Sequence, residues 1–152
     1  MKEFLKPPFV PPFWLLLAVI AMVSLDQVQG QAVWIRAPYS HVGWVLIGAG
    51  LSVAFYVDLI FKRKGTTILP FRQSSALVTT GPFRISRNPI YVGMAAALLG
   101  LSMMLGTAWP FGAVPIFVCV IDRYFIRREE AMLEAAFGAD YREYKTRVRR
   151  WI

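Results

Sequence analysis

The sequence predicts an all-α polytopic membrane protein, and three observations support this fold class. The chain has 152 residues, of which 57% are hydrophobic, more than the roughly 45–50% that is usual in soluble domains. The apolar residues form long blocks, as membrane-spanning helices require. Lys and Arg are concentrated in alternate connections between these blocks. We therefore expect a single domain over residues 1–152, with about four transmembrane helices and a carboxyl-terminal helical lid.

Each of the four apolar blocks is close to the 17–25 residues that cross a bilayer as a helix. Asn88 followed by Pro89 suits the N-cap and first position of the third helix. Pro115 is a candidate kink in the fourth. The first block lacks a small-x-small cleavage site after it, so we expect it to be retained as a span. The predicted spans cover residues 10–28, 42–61, 89–106 and 109–126.

The third span carries two pairs of small residues at a spacing of four, Gly93 with Ala97 and Ala96 with Gly100. Such pairs allow a neighbouring helix to approach closely. We therefore predict a packing role for these residues and no chemistry.

Basic residues indicate how the chain is oriented. The net charge is +8. The connection at 62–88 carries six Lys or Arg residues and the segment from 123 onward carries eight, whereas Arg36 is the one basic residue of the first connection. The positive-inside rule then places both termini at the cytoplasmic face. It also accounts for the basic charge without a nucleic-acid partner.

The chain has one cysteine, Cys119, and one histidine, His41. This composition excludes an internal disulfide and a classical zinc or iron site, so we expect no metal. Asp58 lies near the cytoplasmic end of the second span, where it could be functional or could simply pair with Lys62.

The first of two polar segments on the cytoplasmic side covers residues 77–91. It contains the string Thr80-Gly81-Pro82-Phe83-Arg84-Ile85-Ser86-Arg87-Asn88-Pro89-Ile90-Tyr91. Gly81 and Pro82 predict a turn that lets the backbone approach a ligand. The arginines and Asn88 could hold a carboxylate, a phosphate or a headgroup, or could anchor the chain at the membrane surface. Tyr91 could stack on a flat group or belong to the interfacial aromatic belt.

The second polar segment covers residues 127–152. Glu129 and Glu130 are adjacent on a helix and point about 100° apart, so one of them can face a pocket. A carboxylate there could bind a cationic amine or act as a base; the alternative is a solvated helix face. Gly138 is expected to end the helix, and Tyr141 and Tyr144 to share one face of the next. Trp151, beside Arg149 and Arg150, is typical of an interfacial anchor.

The chain lacks the glycine-rich phosphate loops and the serine elbow of soluble nucleotide-binding enzymes and hydrolases. Its two polar segments instead resemble the isoprenylcysteine carboxyl methyltransferase and phospholipid methyltransferase group of integral membrane enzymes. The resemblance rests on G-P-[FY]-x-x-x-R-[HN]-P-x-Y before a span and on R-x-E-x-x-L-x-x-x-F-G-x-x-Y-x-x-Y after a helical hairpin. It covers about Leu77 to the carboxyl terminus, roughly half of the chain. Asn88 stands where histidine is often found, which excludes proton transfer at that position.

The resemblance implies an enzyme that uses S-adenosyl-L-methionine in an all-helical site. A glutamate would take the amino group of the cofactor, and aromatic or apolar groups would take its adenine. Arg84 or Arg87 would orient a carboxylate acceptor, and Glu129 or Glu130 would act as base for an amine or a thiol. By position, the cofactor-binding residues would be Gly81, Pro82, Arg87, Asn88, Pro89, Tyr91, Glu129, Glu130, Tyr141 and Tyr144, and the catalytic residues Arg87, Glu129 and Glu130.

The expected partners are membrane lipid and a lipophilic or small-molecule methyl acceptor. Two other functions remain open from the sequence. The chain could be a small membrane scaffold or transporter subunit, which would tolerate Glu129→Ala, Glu130→Ala and Asn88→Ala. It could instead bind anionic lipid headgroups through its arginines, with strong salt dependence. The enzyme hypothesis predicts that Glu130→Ala or Tyr91→Ala loses cofactor affinity while the protein still folds.

Overall fold

A computed structural model describes residues 10–27, 32–63 and 77–152 of the chain. Within those ranges the one β-type contact is an isolated bridge between Val33 and Thr107. The predicted all-α class is therefore confirmed. The helices are α1 (Pro11–Asp26), α2 (Val42–Arg63), α3 (Pro89–Leu105), α4 (Trp109–Ile121) and α5 (Arg127–Arg147), with short 3₁₀ turns at Tyr39–His41 and Gly81–Arg84.

The apolar helices coincide with the predicted spans. Two helical stretches of the described chain are long and apolar enough to cross a bilayer by themselves, Tyr39–Arg63 and Trp109–Arg147. The other two apolar helices, α1 and α3, are shorter, with 16 and 17 residues. The described chain therefore has the composition and architecture of an all-α membrane protein.

The bundle has its apolar residues both inside and outside, as a protein in lipid does. The centre between α1, α3 and α4 is filled by a cluster that includes Met22, Leu98, Phe117 and Ile121. The outer face of α2 exposes large apolar side chains as well. A helix that is apolar all round suits a membrane environment. Exposed large side chains on α2 are Trp44, Val45, Leu51, Phe55 and Tyr56.

Glycines bring α2 and α3 into backbone contact. A Cβ atom added to Gly93 on α3 would lie 2.8 Å from the carbonyl oxygen of Gly50 on α2, and Gly100 faces Gly43 at similarly close range. The packing role predicted for the small residues of the third span is thus confirmed. Their partner glycines on α2 were not anticipated.

The fourth span continues into α5 through a π-helical segment, Asp122–Ile126. Pro115 lies inside α4, and the departure from α-helical geometry comes at this segment, seven residues later. A π-turn shifts the phase of the side chains that follow it. Gly138 then breaks α5 with φ +52°, which confirms the predicted helix end there.

Two local expectations concern single side chains. Asp58 pairs with Lys62 one turn later on α2, as the simpler of the two alternatives predicts. Asn88 stands at the N-cap position of α3, but its side chain makes no capping hydrogen bond. The predicted N-cap and first helical positions of Asn88 and Pro89 are confirmed, and the Asn88 amide is used instead in a contact with a distant part of the chain.

Candidate active site

The two polar segments of the sequence lie against each other at one end of the bundle. The Tyr144 hydroxyl donates to the Phe83 carbonyl oxygen at 2.6 Å. The Arg87 backbone N–H donates to the Arg149 carbonyl oxygen at 2.9 Å. Residues about 60 positions apart in sequence therefore form one structural unit.

The Gly81 turn is fixed to the end of α2. Gly81 has φ +63°, and a Cβ atom added to it would lie 2.9 Å from Cδ1 of Ile60. Phe83 is buried, with its ring 5.7 Å from that of Phe61. Glycine is required here both for the positive φ and for the close approach of α2. Pro82 follows it in the turn and is partly buried.

The entry into α3 is tied to the segment that follows α5. The Asn88 side-chain amide donates to the Arg150 carbonyl oxygen at 3.0 Å, and the Ser86 hydroxyl donates to the same oxygen at 3.2 Å. The Ser86 hydroxyl also accepts from the Asn88 backbone N–H at 3.0 Å. Pro89 is buried as the first residue of α3. Asn88 therefore positions backbone, a task that needs an amide donor and no titrating group.

Glu130 lies between two arginines. Its Oε1 is 3.0 Å from Nη2 of Arg87, and the guanidinium of Arg150 grips both of its oxygens at 3.0 and 2.6 Å. The side chains of Arg87 and Glu130 are only 10% and 9% exposed. Arg150 also donates to Asp122 at 3.2 Å. Two guanidinium groups and two carboxylates thus form an ionic quartet that is partly shielded from solvent, and Arg127 also donates to Asp122 at 3.3 Å.

Arg87 has donors that the quartet does not use. Its Nε and Nη1 atoms are buried and have no hydrogen-bond partner within the described residues. Buried donors without a partner are rare in native proteins and call for an explanation such as a bound group. Arg87 is therefore suited to receive an anionic or carbonyl acceptor from a ligand.

Glu129 is held in a different way. Its Oε1 accepts a hydrogen bond from the Tyr91 hydroxyl at 2.7 Å. Glu129 lies in α5, beyond the apolar part of the fourth span. Burial raises the pKa of the Glu129 carboxyl, and the hydrogen bond from Tyr91 opposes this rise only in part. Glu129 is thus a carboxylate that a nearby cation would stabilise in its ionised form.

Tyr141 and Tyr144 lie side by side behind the quartet, with ring centroids 6.1 Å apart. Both are buried, as the predicted shared face requires. Burial raises the pKa of Tyr144 to about 12 and raises the pKa of Tyr141 as well, so both hydroxyls stay protonated at neutral pH. Tyr144 acts as a clamp between the two segments through its bond to Phe83.

An open cleft of about 570 Å³ lies on the outer side of Tyr144. Its size is within the usual range for small-molecule sites, about 300–1,000 Å³. Of the ten predicted cofactor-binding residues, Tyr144 alone lines it, and no member of the quartet does. The cleft is lined by residues of the 77–84 segment and of the second half of α5, including Thr79, Thr80, Arg84, Asp140 and Arg147.

Sequence reasoning missed three members of this network. Trp151 was expected to anchor the chain at the interface, but it packs against the core cluster and its Nε1 donates to Asp122 at 3.3 Å. Asp122 carried a usable signal, because an acid within an apolar span is costly and rarely idle. Arg150 carried none, since it stands in a run of basic residues that the positive-inside rule already explains.

A family model described as phospholipid methyltransferase matches residues 39–140, from the start of α2 into the second half of α5. The chain belongs to the phospholipid methyltransferase family. The matched region contains the Gly81 turn, Arg87, both glutamates and Asp122. Arg150 and Trp151 lie beyond it.

Relatives of this family member differ in what they methylate. Protein-S-isoprenylcysteine O-methyltransferase A of Arabidopsis thaliana is 36% identical over 114 residues, covering 72% of this chain and 56% of that protein. Methanethiol S-methyltransferase 1 of Bradyrhizobium diazoefficiens is 28% identical over 111 residues, covering 72% of this chain and 38% of that protein. An uncharacterized protein of Haemophilus influenzae is 41% identical over 63 residues, covering 41% of this chain and all of that protein.

The chain spans little more than half of the Arabidopsis relative and less than half of the Bradyrhizobium one. No solved structure significantly matches it.

Proposed function

We propose that this protein transfers the methyl group of S-adenosyl-L-methionine to a lipophilic or small acceptor at the boundary between membrane and cytoplasm. Two observations carry the proposal: Arg87 has buried donors without a partner, and the Glu129 carboxylate, next in sequence to the Arg87 partner Glu130, is bound by the Tyr91 hydroxyl. These groups complement the charged amino acid end of that cofactor. Membership of a family of membrane methyltransferases supports the same chemistry.

We assign different roles to Glu129 and Glu130. Glu130 is already neutralised by Arg87 and Arg150, so a third cation would gain little from it. Glu129 is held by the neutral hydroxyl of Tyr91. We therefore assign Glu129, in preference to Glu130, to the cationic ammonium or sulfonium of the cofactor. Arg87 would receive the cofactor carboxylate through Nε and Nη1.

When bound, the cofactor supplies an electrophilic methyl group on sulfur. What remains for the protein is to hold the acceptor in line with that methyl group and to keep water away. A carboxylate acceptor needs orientation only, for which an arginine is sufficient. An amine or thiol acceptor must lose a proton, and we assign the base to Glu129 because Glu130 is already paired with two arginines.

The site is placed to accept a polar cofactor and a lipophilic acceptor from different sides. The network lies where apolar helices α3 and α4 give way to charged segments, beside a cleft lined with hydroxyl and charged groups. The distribution of basic residues supports a cytoplasmic location for this face. The polar cofactor would arrive there, and a lipophilic acceptor would approach from the bilayer.

The decisive experiment is calorimetric titration of S-adenosylhomocysteine into the purified protein in nanodiscs, with ATP as the control ligand. We expect saturable binding of S-adenosylhomocysteine in the micromolar range, about −8 kcal/mol, and none of ATP. Absence of saturable binding in nanodiscs would contradict the proposal and favour the scaffold alternative. Equal binding of both ligands would favour a general anion site.

The acceptor class requires a second experiment. Transfer of label from methyl-labelled S-adenosylmethionine would be measured with a prenylcysteine analogue, phosphatidylethanolamine and methanethiol, each offered separately. Labelling of one of them identifies the class. If none is labelled although the cofactor binds, then the proposed acceptor chemistry is wrong while the cofactor assignment stands.

A further inference from the structure

The residues that follow α5 form a strap, defined here as residues 149–151. Val148 leaves the helix with extended dihedral angles, φ −125° and ψ 132°. The strap then runs beside the entry into α3, where carbonyl oxygens of Arg149 and Arg150 accept hydrogen bonds from Arg87, Ser86 and Asn88. Trp151 fixes the far end by its contact with Asp122.

This strap places Arg150 on Glu130 in a two-pronged grip. Nε of Arg150 is 3.0 Å from Oε1 of Glu130, and Nη2 of Arg150 is 2.6 Å from Oε2. Its remaining nitrogen, Nη1, lies 3.2 Å from Oδ1 of Asp122. All three guanidinium nitrogens of Arg150 therefore donate to the two carboxylates. A bidentate arginine–carboxylate pair of this kind is among the strongest and most directional contacts in proteins.

Arg87 reaches the same Glu130 through a single nitrogen, Nη2, at 3.0 Å. A guanidinium has five N–H donors in a planar fork, and a carboxylate has about four acceptor positions. Arg150 takes one acceptor position on each Glu130 oxygen, on the side where both oxygens face a single guanidinium. The positions that remain point away from each other, so the planar guanidinium of Arg87 reaches one oxygen only. Its Nε and Nη1 are left buried and unpaired.

We propose that Arg150 is a positioning residue that occupies Glu130 and thereby keeps the Arg87 fork available for the carboxylate of the bound cofactor. The proposal rests on the proposed function and adds a residue outside the region that the family model matches. Arg150 does not touch the cofactor in this scheme. Arg150 should affect binding of the amino acid end of the cofactor only, since its side chain contacts Glu130 and Asp122.

The test compares two ligands, one with and one without the amino acid group whose carboxylate Arg87 would bind. S-adenosylhomocysteine has the amino acid end, and 5′-methylthioadenosine lacks it. Affinities for both would be measured by calorimetry in nanodiscs for the full chain and for Arg150→Met, Arg150→Lys and Arg149→Met. Arg149 is the matched control, because its exposed side chain is adjacent and its carbonyl contact with Arg87 survives substitution.

We expect Arg150→Met to weaken S-adenosylhomocysteine about tenfold or more, equivalent to about 1.4 kcal/mol, and to leave 5′-methylthioadenosine within about twofold. Arg150→Lys keeps the positive charge but lacks the planar guanidinium, so its affinity for S-adenosylhomocysteine should lie between those of the unaltered protein and Arg150→Met. Arg149→Met should change neither affinity. In a Glu130→Gln background, adding Arg150→Met should cause little further loss, because the two residues act as one unit.

Three results would overturn the inference. An unchanged affinity of Arg150→Met for S-adenosylhomocysteine would remove the positioning role. An equal loss for both probes would show that Arg150 only holds the fold together, and Arg150→Lys allows that comparison if Arg150→Met does not fold. Failure of the unaltered protein to bind S-adenosylhomocysteine would remove the proposed function together with this inference.

Discussion

Glu129 and Glu130 show how neighbours in sequence acquire different chemistry. One accepts a hydrogen bond from a tyrosine, and the other is enclosed by two guanidinium groups. The 100° step between adjacent helical residues sends them to different partners. Their substitution should therefore have different consequences.

Glu129→Gln should weaken binding of S-adenosylhomocysteine about tenfold, since it removes the charge that complements the ammonium group of this ligand. It should leave folding nearly unchanged, because an amide oxygen still accepts from Tyr91. Glu130→Gln leaves Arg87 and Arg150 without their counter-charge and should lower the free energy of unfolding by about 3–5 kcal/mol, as breaking a buried pair does. Melting temperature and calorimetry separate the two effects, with Glu134→Gln as the control. Similar melting temperatures for the two variants would contradict this division.

The raised pKa of Glu129 sets the sign of a pH effect. Because the folded pKa lies above the unfolded one, the ligand-free folded state holds the proton more tightly. The stability contributed by this proton is complete below about pH 4 and is lost as pH rises through the folded pKa. We expect the melting temperature of the unaltered protein, relative to Glu129→Gln, to fall over this window. A parallel pH dependence of the two proteins would rule out a raised pKa at Glu129.

Among the helices, the contact between α2 and α3 depends on the absence of side chains. Gly50 meets the Gly93 backbone, whereas a Cβ atom on Gly48, two residues away on the same helix, would have no neighbour within 4 Å. Without a hydrophobic driving force in lipid, helices are held by such close packing.

Gly50→Ala should accordingly push α2 away from α3 and lower the free energy of unfolding by about 1–3 kcal/mol, the usual cost of overpacking. Gly48→Ala is the matched control and should be neutral or slightly stabilising, since alanine favours helix. Unfolding of both variants in mixed detergent would be compared. Equal stability of the two would argue against direct backbone contact at Gly50.

The break in α5 depends on Gly138, whose φ is +52°. Its Cβ position is open, so a side chain there would suffer from backbone strain alone. Gly138→Ala should cost about 1–2 kcal/mol and loosen the Tyr144 clamp, which lowers cofactor affinity as well. Gly112→Ala in α4 has equally open surroundings and an ordinary φ, and should be silent. If Gly138→Ala changed neither stability nor cofactor affinity, the backbone of α5 would not depend on the positive φ at this position.

Taken together, the described residues separate an apolar surface from an ionic end. Apolar side chains cover the outer surface of the helices, while the ionic quartet and the cleft lie at one end. Basic residues are concentrated at that same end. From the positive-inside rule we propose that it is the cytoplasmic end.

Cysteine labelling in intact cells tests this orientation. In a Cys119→Ser background, Arg36→Cys should react with a membrane-impermeant maleimide from outside. Arg142→Cys should react only after permeabilisation. Both side chains are exposed, so burial does not confound the comparison. Labelling of Arg142→Cys in intact cells would reverse the orientation and place the site outside the cytoplasm.

The sequence by itself determined the helices and the two segments that form the candidate site. Long apolar blocks define spans because lipid offers no partner for an open backbone. Pairs of glycine and alanine at a spacing of four predicted a packed face, and Gly138 predicted a helix break, because both depend on local geometry. The string around Gly81 and Arg87 marked one half of the site for the same reason.

Only the tertiary structure decided which groups meet. Arg150 is one of several arginines in the sequence, and Asp122 is separated from it by 28 positions. The π-segment and the break at Gly138 turn the chain so that Arg150 returns to Glu130, and this leaves the Arg87 fork unpaired. Which carboxylate stays available for a ligand follows from that long-range pairing. No local pattern encodes it, because every charge in these segments is equally compatible with a solvated membrane surface.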